Sequence, residues 1–319
     1  MKVTVVIRTY NRPGFLIEAL ASVELQTHQD WEIIIFDDGA LPDTFKVYSN
    51  FKTNHPEKNI LYLTGKTNYQ MYKDSWLLAP KLAKGEIIVR FDDDDIIPED
   101  CLEYISQVYS SHPKIDYTFG SSFKFDVNNI YGKVIARSPL EVPRTKDAWA
   151  AYTIENNHPW REPWQWYFDY YDKPQPFTSI IHCSKANKLC SYALYTMRTK
   201  SLLKIIDKIL PSNFPAGDDL EMMGTFEYLG LKYAPIKKIL CYVRDDHKNR
   251  QTHNAEYFRK IVSKVRDWVE YYRPNNFTAG AYKDSGRILD NVENYDYHKL
   301  NNNFKLHWEK IKKISKTYI

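Results

Sequence analysis

The 319-residue sequence has no long run of apolar residues. A helix that crosses a membrane needs about 18 to 20 such residues in succession. The opening MKVTVVIRTYNRPG also lacks a small-residue cleavage site after an apolar stretch. Hydrophobic residues still make up 43% of the chain, which is ample for a packed core. We therefore predict a globular, cytoplasmic protein whose contact with the inner face of the membrane is at most peripheral.

Cysteine is scarce and shows no metal-binding spacing. The cysteines are widely separated and include no C-x-x-C pair, so neither a zinc site nor a disulfide framework is indicated. We expect them to be reduced and mostly buried. They are Cys101, Cys183, Cys190 and Cys241.

Two common nucleotide-binding motifs are missing as well. The sequence contains neither the G-x-G-x-x-G fingerprint nor a P-loop, which argues against a nicotinamide cofactor and against an ordinary phosphate cradle. If a nucleotide binds to this chain, a metal ion rather than a ring of backbone amides must neutralise its phosphates.

The charge is unevenly distributed along the chain. From residue 248 onward there are 15 Lys and Arg against 8 Asp and Glu, a net charge of +7 that leaves −3 for the rest of a chain with net charge +4. A basic C-terminal region can meet nucleic acid phosphates, acidic lipids or an acidic glycan. A solvated helical surface explains the same residues equally well.

The first 130 residues alternate between strand-like and helix-like patterns. The runs VTVVIRTY (3–10), WEIIIFDDG (31–39) and EIIVRF (86–91) are largely apolar, as expected of central parallel strands covered on both faces. Segments with helical spacing lie between them, for example GFLIEALASVELQ (14–26). Strands joined by single helices make right-handed crossovers and a mostly parallel sheet. We therefore predict an α/β fold.

Acidic clusters follow two of these strands. The pair DDG ends the strand at 31–39, and four consecutive aspartates, 92–95, end the strand at 86–91. Ligands of open α/β sheets bind beyond the carboxyl ends of the strands, so one crevice can hold both clusters. Asp92 and Asp94 have the alternate spacing that lets two carboxylates bind Mg²⁺ or Mn²⁺. An acidic cap on a helix beginning near Pro98 explains only Asp95.

Three quoted stretches resemble one known family. VVIRTYNRPGFLIEALASVELQTHQDWEIIIFDDG resembles the opening of the family 2 glycosyltransferases, GEIIVRFDDDDIIPE looks like their metal-binding segment, and GDDLEMMGTFEYLG is similar to their acidic catalytic segment. The resemblance implies a GT-A fold, a Rossmann-like, mostly parallel sheet flanked by helices. To this the sequence pattern adds an irregular acceptor region and a helical C-terminal extension. The resemblance also implies a nucleotide-sugar donor, usually a UDP-sugar, and inversion at the anomeric carbon.

The resemblance assigns the donor-side residues. It implies that Thr9 and Asp38 contact the nucleoside, with Asp38 on the base, and that Asp93 lies near the ribose. Lys73 stands in for an arginine that the family often has in this part of the chain. Arg8 replaces a proline that is usual in the family, which affects the base-side contacts.

The same resemblance assigns the metal and the catalytic base. Asp94 is expected to bind Mn²⁺ or Mg²⁺ at the diphosphate, with Asp92 as a second ligand. Arg244 and His247 resemble the family's R-x-H ending; His247 is expected to bind the metal or the diphosphate, or else to be solvated in a loop. For the base, GDDLEMM offers Asp218, Asp219 and Glu221, and the resemblance points to Asp219; one of the two aspartates can cap the helix that follows while the other faces the cleft.

We divide the chain into three ranges. Residues 1–130 form the nucleotide-sugar-binding half of a GT-A domain, 131–247 the acceptor-binding and catalytic half, and 248–319 a basic, mainly helical region. The aromatic stretch 160–176 offers stacking faces for an acceptor, or else packs as a lid or in the core.

Three functions remain open at this point. The first is a metal-dependent inverting glycosyltransferase acting on a glycan or a lipid-linked saccharide. The second transfers the sugar to hydroxymethylated bases of DNA, with the basic C-terminal region on the phosphates. The third is an inactive module that binds sugar nucleotides without turning them over.

Overall fold

The computed structural model describes residues 1–65, 75–125, 194–206, 231–244 and 297–318. These residues form one seven-stranded sheet in the order β3-β2-β1-β4-β6-β5-β7. The strands are β1 (Val3–Thr9), β2 (Trp31–Asp37), β3 (Ile60–Thr64), β4 (Ile87–Asp92), β5 (Tyr117–Phe125), β6 (Leu194–Arg198) and β7 (Tyr233–Arg244). The helices of the described residues are α1 (Pro13–Glu24), α2 (Pro42–Asn54), α3 (Ala79–Leu82), α4 (Cys101–Ser111), α5 (Thr199–Ile205) and α6 (Tyr297–Ser315).

The first four strands form a parallel sheet. β1 pairs in parallel with β2 and with β4, and β2 pairs in parallel with β3. β6 breaks the pattern because it runs antiparallel between β4 and β5, while β7 pairs in parallel with β5. The prediction of an α/β fold with a mostly parallel sheet is confirmed.

The apolar runs of the central strands are explained by burial on both faces. Successive side chains of a strand point to opposite faces, and Val5 and Val6 of β1 enter two different core clusters. Residues of α1, α2 and α4 cover the face of Val5, and residues of α3 and α5 cover the face of Val6. A central strand of this kind has no solvent-exposed face, so its sequence does not alternate between apolar and polar residues.

The C-terminal helix packs on the sheet rather than standing apart from it. Phe304, Trp308 and Ile311 of α6 are buried against Phe123 of β5 and Tyr242 of β7. α6 also contacts α1. Strands from residues 1–130 and from 194–244 alternate in one sheet; the division into three functional ranges stays a prediction.

One helix begins later than the sequence suggests. α4 begins at Cys101, not near Pro98, and Asp95 does not cap it. The reason is tertiary: the backbone of Ile96 exchanges hydrogen bonds with Tyr242 at 2.8 and 3.0 Å, and the carbonyl of Pro98 accepts one from Gln26 at 2.7 Å. These partners hold the chain before Cys101 outside the helix, so the prediction of a helix start near Pro98 is wrong.

Within the described ranges, no helix is both long enough and apolar enough to cross a membrane. The cysteines that lie in those ranges, Cys101 and Cys241, are buried and unpaired, as expected. Cys183, Cys190 and the aromatic stretch 160–176 lie outside the described residues.

Candidate functional site

Three parallel strands bring the two acidic clusters to the same edge of the sheet. Thr9, the last residue of β1, is in register with Asp37, and Arg8 is in register with Asp92. The chain continues this alignment past the strand ends, because the backbone N–H of Asp38 donates to the carbonyl of Thr9 at 3.0 Å. One edge therefore carries both clusters, as the sequence predicts.

Asp93 is the buried centre of this edge. Its side chain has no exposed surface. The hydroxyl of Thr9 donates to Oδ2 of Asp93 at 2.6 Å, and the guanidinium of Arg12 binds both carboxylate oxygens. Burial raises the pKa of Asp93 to about 7; Arg12 acts in the opposite direction, and the neighbouring charge of Asp94 adds to the rise. Contact between this carboxylate and a ribose requires its neighbours to move.

The two outer aspartates of the cluster are each paired with an arginine. Nη2 of Arg8 donates to Oδ1 of Asp92 at 2.8 Å, and Nη1 of Arg12 donates to Oδ2 of Asp94 at 3.3 Å. Burial works to raise the pKa of Asp92, but attraction to Arg8 and Arg90 outweighs it and holds the pKa at about 2. Because 45% of the Asp92 side chain is exposed, solvent weakens the effect of burial there. Arg8, the departure from the family pattern, thus supplies charge to the acidic cluster.

The turn after β2 is shaped by Asp37. This buried carboxylate accepts a hydrogen bond from the N–H of Gly39 at 2.8 Å and another from the hydroxyl of Tyr62. Gly39 passes so close to Asn11 that an added Cβ would lie 1.8 Å from its side-chain oxygen and 2.8 Å from its backbone nitrogen. Asp37 therefore holds the turn, while Asp38 is only half-buried at the same edge.

Arg244, a predicted donor-side residue, faces the interior. Its side chain is 3% exposed and forms an ion pair with Glu18 of α1. The guanidinium lies 4.7 to 5.3 Å from the ring centres of Phe15, Phe125 and Trp308. Its Nε donates to the carbonyl of Asp94 at 3.2 Å. In this arrangement Arg244 is a buried residue that holds the backbone of the acidic cluster through the carbonyl of Asp94.

Several predicted site residues cannot be placed. Lys73, Asp218, Asp219 and His247 lie outside the described residues. Their roles stay predictions. A further residue lies at this edge that was not predicted: Arg12, which closes the letters TYNR of the first quoted stretch. The signal for Arg12 is its position three residues after the end of β1, at the same sheet edge as the four aspartates.

The donor set at this edge suits a hard divalent cation. Asp92 and Asp94 present carboxylate oxygens, which Mg²⁺ and Mn²⁺ prefer as ligands, and such ions usually take only one or two carboxylates from the protein. Among the described residues, no group of three or more His, Cys, Asp or Glu side chains forms a ready-made metal cluster. A cation held here by Asp94 and Asp92 therefore takes its other ligands from water, from the donor or from other parts of the chain.

Two solved structures share the fold. The mannosyltransferase PcManGT from Pyrobaculum calidifontis, solved in complex with GDP-Man and Mn²⁺, matches 99% of this chain and 73% of its own length, with a TM-score of 0.56 and 12% identity. S. aureus TarS 1–349 in complex with UDP-GlcNAc matches 84% of this chain and 66% of its own, with a TM-score of 0.54 and 15% identity. At these identities the likeness shows the fold, and it confirms the predicted GT-A class.

Curated relatives match part of the chain. Glycosyltransferase GlyG from Streptococcus pneumoniae serotype 4 is 27% identical over 124 residues, which is 39% of this chain and 40% of GlyG. The chain spans between 13% and 48% of the length of the first three curated relatives that it matches.

A family model identifies the chain more broadly. The Glycosyl transferase family 2 model matches residues 4–194, more than half of the sequence. This match covers the first two of the three quoted stretches and confirms the family resemblance, and with it the prediction that the chain is of a transferase class. The chain belongs to glycosyl transferase family 2.

Proposed function

We propose that this chain is a metal-dependent, inverting glycosyltransferase. It moves a sugar from a nucleotide-sugar, in first place a UDP-sugar, to a hydroxyl of a glycan or a lipid-linked saccharide. The observation that carries this proposal is the meeting of Thr9, Asp38 and the 92–95 cluster at the carboxyl edge of β1, β2 and β4.

The solved neighbours support a nucleotide-sugar donor. TarS 1–349 is known in complexes with UDP and with UDP-GlcNAc, and PcManGT in a complex with GDP-Man and Mn²⁺. These ligands belong to those proteins. Because the fold is shared, we propose the same class of donor and a divalent metal, Mn²⁺ or Mg²⁺, for this chain.

The residues divide the work between donor and acceptor. Thr9 and Asp38 would bind the nucleoside, Asp93 would lie at the ribose side, and Asp94 with Asp92 would hold the cation. When bound, the cation stabilises the negative charge that builds up on the departing diphosphate, without proton transfer to it. Lys73 and His247 are the remaining residues that we propose on the donor and metal side, whereas Arg244 faces the interior and would act through its hydrogen bond to the backbone of Asp94.

Inversion requires a base on the opposite face of the sugar. We assign this role to Asp219, with Asp218 beside it. The acceptor oxygen forms the new bond to the anomeric carbon, the bond from that carbon to the diphosphate oxygen breaks, and the acceptor proton passes to the Asp219 carboxylate. Both residues lie outside the described part of the chain, so this assignment rests on the family resemblance.

Calorimetric titration tests the donor site. UDP is titrated with and without Mn²⁺ into the wild type, into Asp94→Ala and into the control Asp30→Ala. Asp30 is an exposed aspartate whose side chain pairs with Lys2, and Lys2 directly precedes β1. We expect UDP binding that needs Mn²⁺, that Asp94→Ala loses and that Asp30→Ala keeps. Binding of GDP or dTDP in place of UDP would change the donor base only, whereas metal-independent binding that survives Asp94→Ala would contradict the proposed metal site.

A further inference from the structure

Arg12 is placed by the backbone between β1 and α1. Asn11 adopts a left-handed conformation with φ of 54°, Arg12 occupies the N-cap position, and Pro13 begins the helix. This turn carries the Arg12 side chain back over the end of β4. Arg12 makes no side-chain cap on its own helix. Its guanidinium instead meets the acidic cluster.

The guanidinium of Arg12 contacts two different aspartates. Nε lies 3.2 Å from Oδ2 of Asp93, and Nη2 binds the other oxygen of the same carboxylate. Two parallel contacts of this kind fix the plane of an arginine as well as its position. Asp93 has no exposed surface and is itself held by Thr9 at 2.6 Å. Asp93 is therefore a rigid anchor for Arg12.

The remaining nitrogen points to the predicted metal ligand. Nη1 of Arg12 donates to Oδ2 of Asp94 at a distance of 3.3 Å, longer than its Nε contact to Asp93. The Arg12 side chain is 37% exposed, and Asp94 is 13% exposed. The Arg12 side chain is thus partly exposed at the edge where the diphosphate of a donor would lie, while Nε and Nη2 are held by Asp93.

We propose that Arg12 is the exchangeable counter-ion of this site. It neutralises Asp94 while no divalent cation is bound, and it presents Nη1–H to the donor diphosphate once a cation takes Asp94. The Asp93 anchor stays in place during the exchange, so no large motion is needed. The inference rests on the proposed function, because it assumes that Asp94 holds the cation.

The exchange has a consequence for binding order. Arg12 competes with the cation for Asp94, so it weakens metal binding in the absence of nucleotide. The same group strengthens nucleotide binding once the metal is present, because arginine binds phosphate oxygens in a charge-assisted way. Metal and nucleotide therefore bind with positive coupling, and by linkage each raises the affinity of the other.

Two affinities test the proposal. The first is that of Mn²⁺ without nucleotide, from calorimetry or from the electron paramagnetic resonance signal of free Mn²⁺. The second is that of UDP at saturating Mn²⁺. Both are measured for the wild type, Arg12→Gln and the control Lys2→Gln, which removes a positive charge just before the other end of β1. In Arg12→Gln we expect Mn²⁺ to bind about tenfold more tightly and UDP about tenfold more weakly, as for loss of one charge-assisted hydrogen bond.

A second variant guards against misfolding. Arg12→Gln leaves the buried Asp93 without its counter-ion, so the double variant Arg12→Gln/Asp93→Asn is measured beside it. Mn²⁺ affinity is expected to rise in the double variant as well, whereas UDP affinity is compared for Arg12→Gln alone, because Asp93 is itself placed at the ribose side. Unchanged Mn²⁺ affinity in both variants, with binding that Asp94→Ala still abolishes, overturns the exchange and leaves the metal site standing. If neither Mn²⁺ nor UDP binds the wild type, the proposal of a donor site is wrong, and so is the proposed role of Arg12.

Discussion

Nε of Arg244 lies 3.2 Å from the carbonyl oxygen of Asp94, so the last residue of β7 supports the backbone of the acidic cluster at the end of β4. The backbone N–H of Arg244 also donates to the Asp95 carboxylate at 3.2 Å. The guanidinium is held in turn by Glu18 of α1 and by the ring of Trp308 of α6. The C-terminal helix and the acidic cluster are thereby connected through one buried side chain.

The ion pair between Arg244 and Glu18 is expected to stabilise the fold. Glu18→Gln keeps the volume of the side chain but removes its charge, and it leaves a 3% exposed guanidinium without its carboxylate. We expect a loss of about 1.5 to 3 kcal/mol in the free energy of unfolding, the usual effect for a hydrogen bond to a charged group. Urea denaturation measures it.

Glu309→Gln is the control for this measurement. Glu309 pairs with Lys312 on the surface of α6, where 65% of its side chain is exposed. Exposed pairs contribute between about 0.2 and 1 kcal/mol. Equal losses in the two variants would show that Arg244 does not depend on Glu18.

Packing of α6 is tested by two residues of the same helix. Trp308 is 5% exposed and lies against Phe125 and Arg244, whereas Leu306 is 66% exposed. We expect Trp308→Ala to lower the free energy of unfolding by about 3 to 5 kcal/mol, as for a buried aromatic residue. Leu306→Ala should change it by less than about 0.5 kcal/mol. Similar melting temperatures for the two variants would mean that α6 does not pack as described.

The turn after β2 is tested at glycine. A Cβ on Gly39 would lie 2.8 Å from the backbone nitrogen of Asn11, so Gly39→Ala must displace the turn that carries Asp38. We expect nucleotide affinity to fall. At Gly14 no atom lies within 4 Å of an added Cβ, so Gly14→Ala should bind UDP as the wild type does. Calorimetry with UDP and Mn²⁺ compares them, and full binding by Gly39→Ala would argue against the close contact with Asn11.

Stability is expected to depend on pH through His307. Burial lowers the pKa of His307 below its ordinary value of 6.5, while hydrogen bonds with Glu99 and with the carbonyl of Ile97 act in the opposite direction. Between the lowered pKa and 6.5 the unfolded chain binds more protons than the folded one, so stability rises with pH and is complete above 6.5. The stability falls as the pH drops through 6.5 toward the lower pKa that His307 has in the folded chain.

Urea denaturation across this pH range checks the expectation. His307→Gln should lose part of the slope of stability against pH. The control His28→Gln removes a histidine near the N-terminus, whose ring lies 3.0 Å from the carbonyl of Met1. Identical pH profiles for His307→Gln and the wild type would contradict a role of His307.

The sequence predicts the parallel part of this fold because the signal is local. Continuous apolar runs mark β1, β2 and β4, and parallel strands must end at one edge, which places Thr9 beside Asp37 and Arg8 beside Asp92. The contacts that complete the site are not local. Glu18 and Arg244 are 226 residues apart, and Arg12 is 81 residues from Asp93. No periodicity in the sequence shows such pairs.

Tertiary hydrogen bonds also account for the start of α4. The sequence places a helix near Pro98, a good first-turn residue, but Gln26 binds the carbonyl of Pro98 and Thr27 binds that of Glu99. These contacts hold the segment before Cys101 in place. In this position the carbonyl of Asp94 accepts a hydrogen bond from Nε of Arg244, and the Asp95 carboxylate accepts one from the backbone N–H of Arg244.

The central claim is that the edge of β1, β2 and β4 turns over a nucleotide-sugar. Nuclear magnetic resonance tests it most directly, by following UDP-sugars and GDP-sugars with the wild type, Asp94→Asn and Asp30→Asn in the presence of Mn²⁺. We predict slow hydrolysis of one donor to free sugar and nucleoside diphosphate, lost in Asp94→Asn and kept in Asp30→Asn. Donors that bind to the wild type and stay intact would contradict the account and show a binding module without activity.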